Sequence, residues 1–490
     1  MTARGARTSR EVRAALDHPI IDADGHIIEF MPAVWPYLRE ALGSERFDAY
    51  RRGQMPVEQS TAGDSALAER RRTRAPQSAW WASPAANTRD LATAAVPALL
   101  AERVDELGID LAVLFPTKAL GSGRFEDPDM RRGVCRGFND FYAATYGPFA
   151  ERLAVGGIIP MHTPDEAIAE IRHCAEIGLR VVAVPEGVWR PIPEPASQPS
   201  LWMVPGQTHW FDNFGLDSAH DYDPAWAELQ AHGYPLISHG GLGHVAPNQY
   251  LSITNYSANH IGSFRDKMYQ LCKSLYFGGV TRRFPALRLG FLECGVAWAS
   301  TLLADVCEHW EKRNLDALRT LDPSAVDHQL LEELVRRYGA ELLEGVEDVQ
   351  SSLCGLSAVG VAPEERDDWR FLDVRSEDEL VDLFAPRMYF GCEADDRTIA
   401  FAWSPANPGG AAMRPVFSSD IAHWDVPDMA GVVAESWELV EDGLLTSEQY
   451  RRFVCDNPIE LFGPTLLAGT AVAPWLAARD APSLADSRSI

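Results

Sequence analysis

In Ile20-Ile-Asp22-Ala-Asp24-Gly-His26-Ile-Ile-Glu29, carboxylates and an imidazole follow two isoleucines. Side chains alternate between the two faces of an extended strand, so Asp22, Asp24 and His26 are predicted to point the same way. Such groups, two residues apart at the end of a first strand, suit one divalent metal ion. The alternative is an Asp-rich turn, in which Asp and Gly serve the turn geometry and His26 is incidental.

Outward from this stretch, short apolar runs alternate with amphipathic segments along the chain. The runs cover residues 20–24, 111–116, 153–160, 179–185, 234–239, 287–293, 388–392 and 415–420. Helical spacing of apolar residues is found at 130–146, 164–177, 224–232 and 298–313. Buried strands alternating with helices predict a parallel sheet, and eight such units predict an α/β fold, the (β/α)8 TIM barrel. A doubly wound open sheet is the alternative, but no Gly-x-Gly-x-x-Gly follows the first strand.

The domain organisation that follows is one catalytic barrel over residues 1–470 with a tail at 471–490. Three segments are too long for simple barrel loops: residues about 40–95, about 186–222 and about 312–380, the last resembling two or three acidic helices. The tail is predicted to be an arm or disordered. Long ordered insertions in enzymes often form lids or subunit contacts, and we expect a homo-oligomer, a dimer.

Composition narrows the class of protein. The net charge of -26 argues against a nucleic-acid partner, because a protein that binds phosphates needs a basic face. Eight cysteines without a Cys-x-x-Cys pair predict reduced thiols and a cytoplasmic setting. The first nineteen residues have no apolar core of a signal peptide, and no run approaches the ~18 to 20 apolar residues that span a bilayer. We therefore expect no membrane partner.

The opening motif resembles that of the amidohydrolase-related proteins. This branch of the amidohydrolase superfamily includes aminocarboxymuconate-semialdehyde decarboxylase and the resorcylate-type decarboxylases. In this branch the first strand ends in His-x-His or Glu-x-His, whereas this chain has Asp24-Gly-His26 at that place. The chain is similar to a subgroup with the pattern Asp-x-Asp-x-His-x-x-Glu. The resemblance runs from about residue 20 to about residue 463 and implies a barrel of the metal-dependent hydrolase type.

The predicted metal ligands lie at three strand ends, where a barrel collects its catalytic groups. The first strand supplies Asp24 and His26, the fifth ends in His239 and the eighth in Asp420. The resemblance implies that His239 is a ligand and that Asp420 binds the metal, handles the water proton, or does both. The alternatives are a hydrogen-bonded histidine that closes the barrel mouth and an aspartate that caps the next helix. The mixed N/O set suits one Zn, Mn or Fe ion.

Strand six ends in Glu293, where the decarboxylase members have a histidine that acts on the substrate. A buried Glu at this point could bind the metal or act as a general base. The alternative is a structural carboxylate paired with Arg282 or Arg288. Together with Asp420 and His239, Glu293 completes the predicted catalytic set.

The remaining candidates surround this set. His423 and Trp424 follow strand eight and are predicted to face a small-molecule substrate, as are His260 and His162. Glu186, just after strand four, could bridge a second metal ion, and the alternative is a solvated loop carboxylate.

Three classes of function remain open at this point. The first is a hydrolase in which metal-activated water attacks an amide, ester, lactone or thioester. The second is non-oxidative decarboxylation of an aromatic or unsaturated acid, and the lack of a histidine on strand six argues against it. The third is a binding scaffold that has lost its metal, which the retention of all four candidate ligands disfavours.

Overall fold

A computed structural model describes residues 7–59, 64–77, 86–194, 207–240, 251–354 and 365–480. The strands in these ranges are β1 (Ile21–Ile27), β2 (Leu111–Pro116), β3 (Leu153–Val155), β4 (Gly157–Ile158), β5 (Val182–Val184), β6 (Val188–Pro191), β7 (His209–Asp212), β8 (Leu236–Ser238), β9 (Leu289–Phe291), β10 (Met388–Cys392) and β11 (Arg414–Phe417). Each of the eight predicted apolar runs contains or overlaps strands of this set.

Helices fill most of the intervals between the strands. The α-helices are α1 (Ser9–Ala14), α2 (Met31–Gln59), α3 (Asp64–Thr73), α4 (Thr88–Ala95), α5 (Pro97–Leu107), α6 (Pro128–Tyr146), α7 (Pro164–Glu176), α8 (Asp223–His232), α9 (Tyr256–His260), α10 (Ser263–Phe277), α11 (Val280–Arg283), α12 (Ala297–Arg313), α13 (His328–Tyr338), α14 (Val349–Cys354), α15 (Glu377–Phe384), α16 (Val432–Glu441), α17 (Ser447–Arg451), α18 (Asn457–Leu467) and α19 (Ala473–Asp480). Short 3-10 helices cover Ala119–Arg124, Gly147–Phe149, Ala317–Leu321, Pro323–Ala325, Ala340–Leu343, Arg397–Trp403, Pro408–Gly410 and Met429–Gly431, and Arg452–Asp456 is a π-helix.

The strands other than β6 and β7 form one closed parallel barrel. Hydrogen-bonded pairs run in the orders β1-β2-β3 and β4-β5-β8-β9-β10-β11. Gly156 joins β3 to β4, and its amide donates to β2 while that of Gly157 donates to the segment entering β5. The ring closes between β11 and β1, where the Asp420 amide donates to the Asp24 carbonyl at 3.0 Å. Because β3 and β4 are two parts of one strand, this is the predicted (β/α)8 barrel. The fold prediction is confirmed.

The strands are buried on both faces, as parallel strands between a core and a helix layer must be. In β2, Leu111 and Val113 belong to the cluster inside the barrel, whereas Ala112 and Leu114 pack among the surrounding helices. The inner cluster also contains Phe462 and other apolar side chains of α18, which close one end of the barrel. The interior is therefore a packed core, and chemistry is confined to the open end.

The insertions and the tail add structure outside the barrel. The antiparallel pair β6-β7 lies in the 186–222 insertion, and α13, α14 and α15 lie in or beside the 312–380 insertion. Part of the predicted tail is the helix α19, whose Trp475 indole N–H donates to the Asp17 carbonyl at 3.1 Å. Residues 481–490 lie outside the described ranges. Within those ranges, every helix is too short or too polar to cross a membrane. The seven cysteines whose side chains are described are free thiols.

Candidate active site

The first strand carries a β-bulge that changes how its carboxylates are used. Pairing of β1 with β2 shifts register between Asp22 and Gly25. Asp22 then accepts hydrogen bonds from the Ser419 amide at 3.0 Å, the Ser419 hydroxyl at 2.5 Å and the Asp24 amide at 3.1 Å. The expected common direction of Asp22 and Asp24 is thus wrong for Asp22. It fastens β11 to β1, and burial raises its pKa to about 7.

Ser419→Ala is expected to lower the free energy of unfolding by about 1.5–3 kcal/mol, because a buried carboxylate loses its hydroxyl donor. Ser300→Ala is the control, since its hydroxyl is on the surface and donates to one carbonyl at 3.2 Å. Denaturant unfolding of both variants measures the difference. Equal effects of about 0.5 kcal/mol or less would show that the Asp22 contact does not secure the barrel closure.

The four predicted ligands converge at the open end of the barrel. The two imidazole Nε2 atoms of His26 and His239 are 3.1 Å apart. Asp24 Oδ1 lies 3.7 Å from His26 Nε2 and 3.4 Å from His239 Nε2. Asp420 Oδ1 lies 3.4 Å from His26 Nε2. All four residues are at most 2% exposed, so their lone pairs face each other away from water.

Within this cluster of candidate ligands, buried acceptor atoms have no hydrogen-bond donor. His239 Nδ1 lies 3.1 Å from the Gly240 carbonyl, which can only accept, so Nδ1 is the donor there and Nε2 is the atom that faces His26 and Asp24. Burial, with His423 and His239 nearby, lowers the pKa of His26 well below its ordinary value. Asp24 Oδ1 is buried and accepts no hydrogen bond. Converging buried lone pairs need a cation, so these residues fit a divalent metal ion.

His423 is tied to this centre rather than turned towards open space. Its Nδ1 lies 2.7 Å from Asp420 Oδ1, its Nε2 lies 3.1 Å from the Thr117 hydroxyl, and its ring stacks on His26 at 3.7 Å. Burial lowers the pKa of His423 to about 4, so its ring is neutral. His423 thereby orients Asp420, and it could also serve as a ligand beside His26 and Asp420.

Glu293 ends β9 at the edge of the same centre. Its backbone takes a left-handed conformation (φ 53°), and its Oε2 lies 3.3 Å from His239 Nε2. Burial, reinforced by Asp24 and other carboxylates, raises the pKa of Glu293 well above its ordinary value. Arg282 and Arg288 donate instead to main-chain carbonyls elsewhere. The described contacts therefore give no support to the ion-pair alternative for Glu293.

A cleft of about 1080 Å³ opens beside Glu293. Aromatic, acidic and basic side chains share its walls: His260, Phe264, Tyr269 and Trp298; Asp266, Glu393, Asp395, Asp396 and Asp425; Arg265 and Lys273. Burial, and after it the nearby carboxylate of Asp425, raises the pKa of Glu393 to about 7. Glu293 borders both the cleft and the cluster of candidate ligands.

Of the predicted substrate residues, His260 lines the cleft and Trp424 lies against it. The rings of His260 and Trp424 are 5.4 Å apart, and Tyr256 contacts both, at 5.3 Å and 6.0 Å. Trp424 is 36% exposed, as a side chain that meets a substrate would be. Burial lowers the pKa of His260, so its ring is neutral. Their contact with substrate stays a prediction.

Glu186 and His162 have other surroundings. Glu186 is buried, not solvated as its alternative supposed, and its Oε1 lies 3.8 Å from Lys267 Nζ. A second metal at Glu186 thus gains no support from its described neighbours. His162 is half-buried, and its carbonyl accepts from Arg190 at 3.0 Å. The buried Lys267 was not among the predicted site residues, because it lies on α10 and not at a strand end.

Glu29, the last residue of the opening motif, has a structural role. It accepts hydrogen bonds from the Lys118 amide at 2.9 Å, the Ala119 amide at 3.0 Å and the Tyr142 hydroxyl at 2.8 Å. These contacts hold the segment that follows β2, next to Thr117. Spacing alone cannot separate this carboxylate from the candidate ligand five residues earlier.

A sequence profile described as amidohydrolase (Amidohydro_2) matches residues 21–343, well over half of the chain. The protein belongs to this amidohydrolase family, as the opening motif predicted. No curated protein matches the chain.

Solved structures show a similar fold at low sequence identity. An amidohydrolase of Mycobacterium avium subsp. paratuberculosis is 14% identical and has a TM-score of 0.50, with 92% of this chain and 100% of that chain covered. A manganese-bound 5-carboxyvanillate decarboxylase of Novosphingobium aromaticivorans is 14% identical, with a TM-score of 0.46 and coverage of 91% and 97%. A manganese-bound dihydroxybenzoic acid decarboxylase of Polaromonas sp. JS666 is 15% identical, with a TM-score of 0.48 and coverage of 92% and 99%.

Proposed function

We propose that the protein is a metal-dependent, non-oxidative decarboxylase of a small aromatic or unsaturated carboxylic acid. The observation that carries this proposal is Glu293, a buried carboxyl group between the candidate metal centre and the cleft. Burial and the neighbouring carboxylates raise the pKa of Glu293, which favours its protonated form. A protonated carboxyl group beside the substrate is an acid, and decarboxylation needs an acid at the carbon that loses its carboxylate.

Asp24, His26, His239 and Asp420 would hold one divalent ion, of zinc, manganese or iron. When bound, the ion would fix a phenolate or carboxylate oxygen of the substrate and withdraw electron density from it. The chain's part is to fix the geometry of these ligands. The hydrogen bond from His239 Nδ1 to the Gly240 carbonyl and the contact of His423 with Asp420 orient two of the four.

The proposed reaction breaks the bond between the ring or alkene carbon and the carboxylate. The bonding electrons stay on that carbon, carbon dioxide leaves, and the proton of Glu293 forms the new C–H bond. Water returns a proton to Glu293 as carbon dioxide is hydrated. The buried position of Glu293 favours the step, since few waters compete to deliver a proton.

Hydrolysis is the second candidate, and it is supported by the arrangement at the end of β11. Asp420 lies against His423, which is held in turn by Thr117, so Asp420 is positioned to take a proton from water. The sequence favoured hydrolysis because Glu293 replaces the histidine of the decarboxylases. We rank decarboxylation first, because burial and the carboxylates near Glu293, Asp24 foremost, favour its acid form against the opposing effect of Lys267.

The test is product analysis with the protein loaded separately with manganese, zinc and iron. Hydroxybenzoic and unsaturated acids form one substrate panel, and aryl esters, lactones, amides and thioesters form the other. We expect carbon dioxide in one-to-one ratio with a decarboxylated product. In D₂O that product should carry one deuterium at the carbon that lost the carboxylate.

A different set of products would contradict the decarboxylase proposal. Turnover of the second panel without carbon dioxide release would establish hydrolysis and remove the decarboxylase proposal. Protein stripped of metal by a chelator serves as the control in both panels, because every proposed role of the site requires the ion.

A further inference from the structure

Helix α13 in the 312–380 insertion has an apolar stripe on its outer side. Asp327 caps the helix by accepting from the Leu330 amide at 2.9 Å. From there Leu330, Leu334 and Tyr338 follow at intervals of four residues, so they lie along one side of the helix. They are 49%, 44% and 70% exposed.

The other side of α13 already has neighbours. Leu331 and Val335 are only partly exposed, and the helix lies against α14. Six of the fifteen large apolar side chains that are exposed within the described ranges lie between Leu315 and Leu342. Single exposed apolar residues are ordinary on a protein surface, but a concentration of this kind marks an interaction site.

The charged side chains beside the stripe indicate which partner can pack against it. Glu333 and Arg337 are exposed, one turn apart on the same flank of the stripe. When two copies of one helix pack antiparallel about a two-fold axis, like flanks face each other. With the axis between Leu334 and Val335, Glu333 of each copy lies within about one residue of the level of Arg337 of the other, and Leu330 lies equally near the level of Tyr338. The surface is therefore complementary to itself.

We propose that α13 forms the interface of a homodimer in which the two α13 helices pack antiparallel. The stripe of Leu330, Leu334 and Tyr338 forms its centre, and two symmetric Glu333–Arg337 pairs flank it. A helix of 11 residues buries less than the ~1,200–2,000 Å² of a standard stable interface. The dimer should therefore dissociate on dilution. This proposal is independent of the reaction that the barrel catalyses.

The first test is sedimentation equilibrium of the full chain over a range of micromolar concentrations. Wild type should show a monomer–dimer equilibrium, and Leu334→Glu should weaken it roughly tenfold or more by placing like charges at the two-fold axis. Leu216→Glu is the matched control, because Leu216 is 37% exposed and lies away from α13 in the 186–222 insertion. Circular dichroism confirms that each variant is folded.

The second test is charge reversal, which distinguishes this interface from any other. Glu333→Lys alone and Arg337→Glu alone should each impair self-association, because each puts like charges opposite one another. Mixing the two single variants should restore a dimer made of one copy of each. The double variant carrying both changes should dimerise by itself.

Three results would overturn the proposal. They are a wild-type monomer at every concentration, a dimer that Leu334→Glu leaves unchanged, and single charge variants that fail to complement each other. A partner of another kind on this surface would give the first result.

Discussion

Replacing His239 with alanine is expected to remove the bound metal and to lower activity by more than roughly 10²-fold. Removing a group that only orients a metal ligand lowers metal affinity or activity by about 10–100-fold, and removing a ligand itself lowers them further. His239 Nε2 lies within 3.4 Å of both Asp24 Oδ1 and His26 Nε2, so its loss opens the ligand set at its centre. Elemental analysis of purified wild type and variant, alongside turnover, measures both effects.

The matched control for His239→Ala is His232→Ala. His232 lies at the end of α8, pairs with Glu228 at 3.1 Å and has a side chain that is 32% exposed. Its removal should leave metal content and turnover unchanged. Full metal retention in a folded His239→Ala variant would remove His239 from the ligand set.

Glu293→Gln is expected to reduce turnover by roughly 10²–10⁴-fold while leaving metal content and melting temperature nearly unchanged. Glutamine keeps the size of the side chain and most of its hydrogen-bonding capacity, but it cannot give up a proton as the carboxyl group does. Glu293 is only 8% exposed, so water cannot easily take over the role of its carboxyl group. Turnover, metal content and thermal unfolding are measured on the same preparation.

The three readouts separate the roles that Glu293 could have. A general acid loses turnover alone, whereas a ligand loses metal and turnover together. A structural group would lose stability and retain turnover per folded molecule, and that result would exclude Glu293 from the chemistry. Glu228→Gln is the control, because this carboxylate binds Arg172 on the outer helix layer at 2.8 Å.

Much of the fold was predictable because parallel barrel strands are short, apolar and bounded by polar residues. The run at 388–392 has the bounds of β10, and the run at 111–116 has those of β2. The same reasoning predicted that one metal site contains Asp24, His26, His239 and Asp420. In a closed parallel barrel every strand ends at the same mouth, so strand ends distant in sequence become neighbours.

The barrel, its family and the side chains that approach each other at the mouth could therefore be predicted from local sequence. Only the tertiary structure separated Asp22 from Asp24, because a bulge in β1 sends one to Ser419 and leaves the other at the centre. It also tied His423 to Asp420 and Thr117, and buried Lys267 beside Glu186. These contacts join residues from different elements, and they depend on strand register and helix placement, which are set by packing across the whole barrel rather than by local sequence.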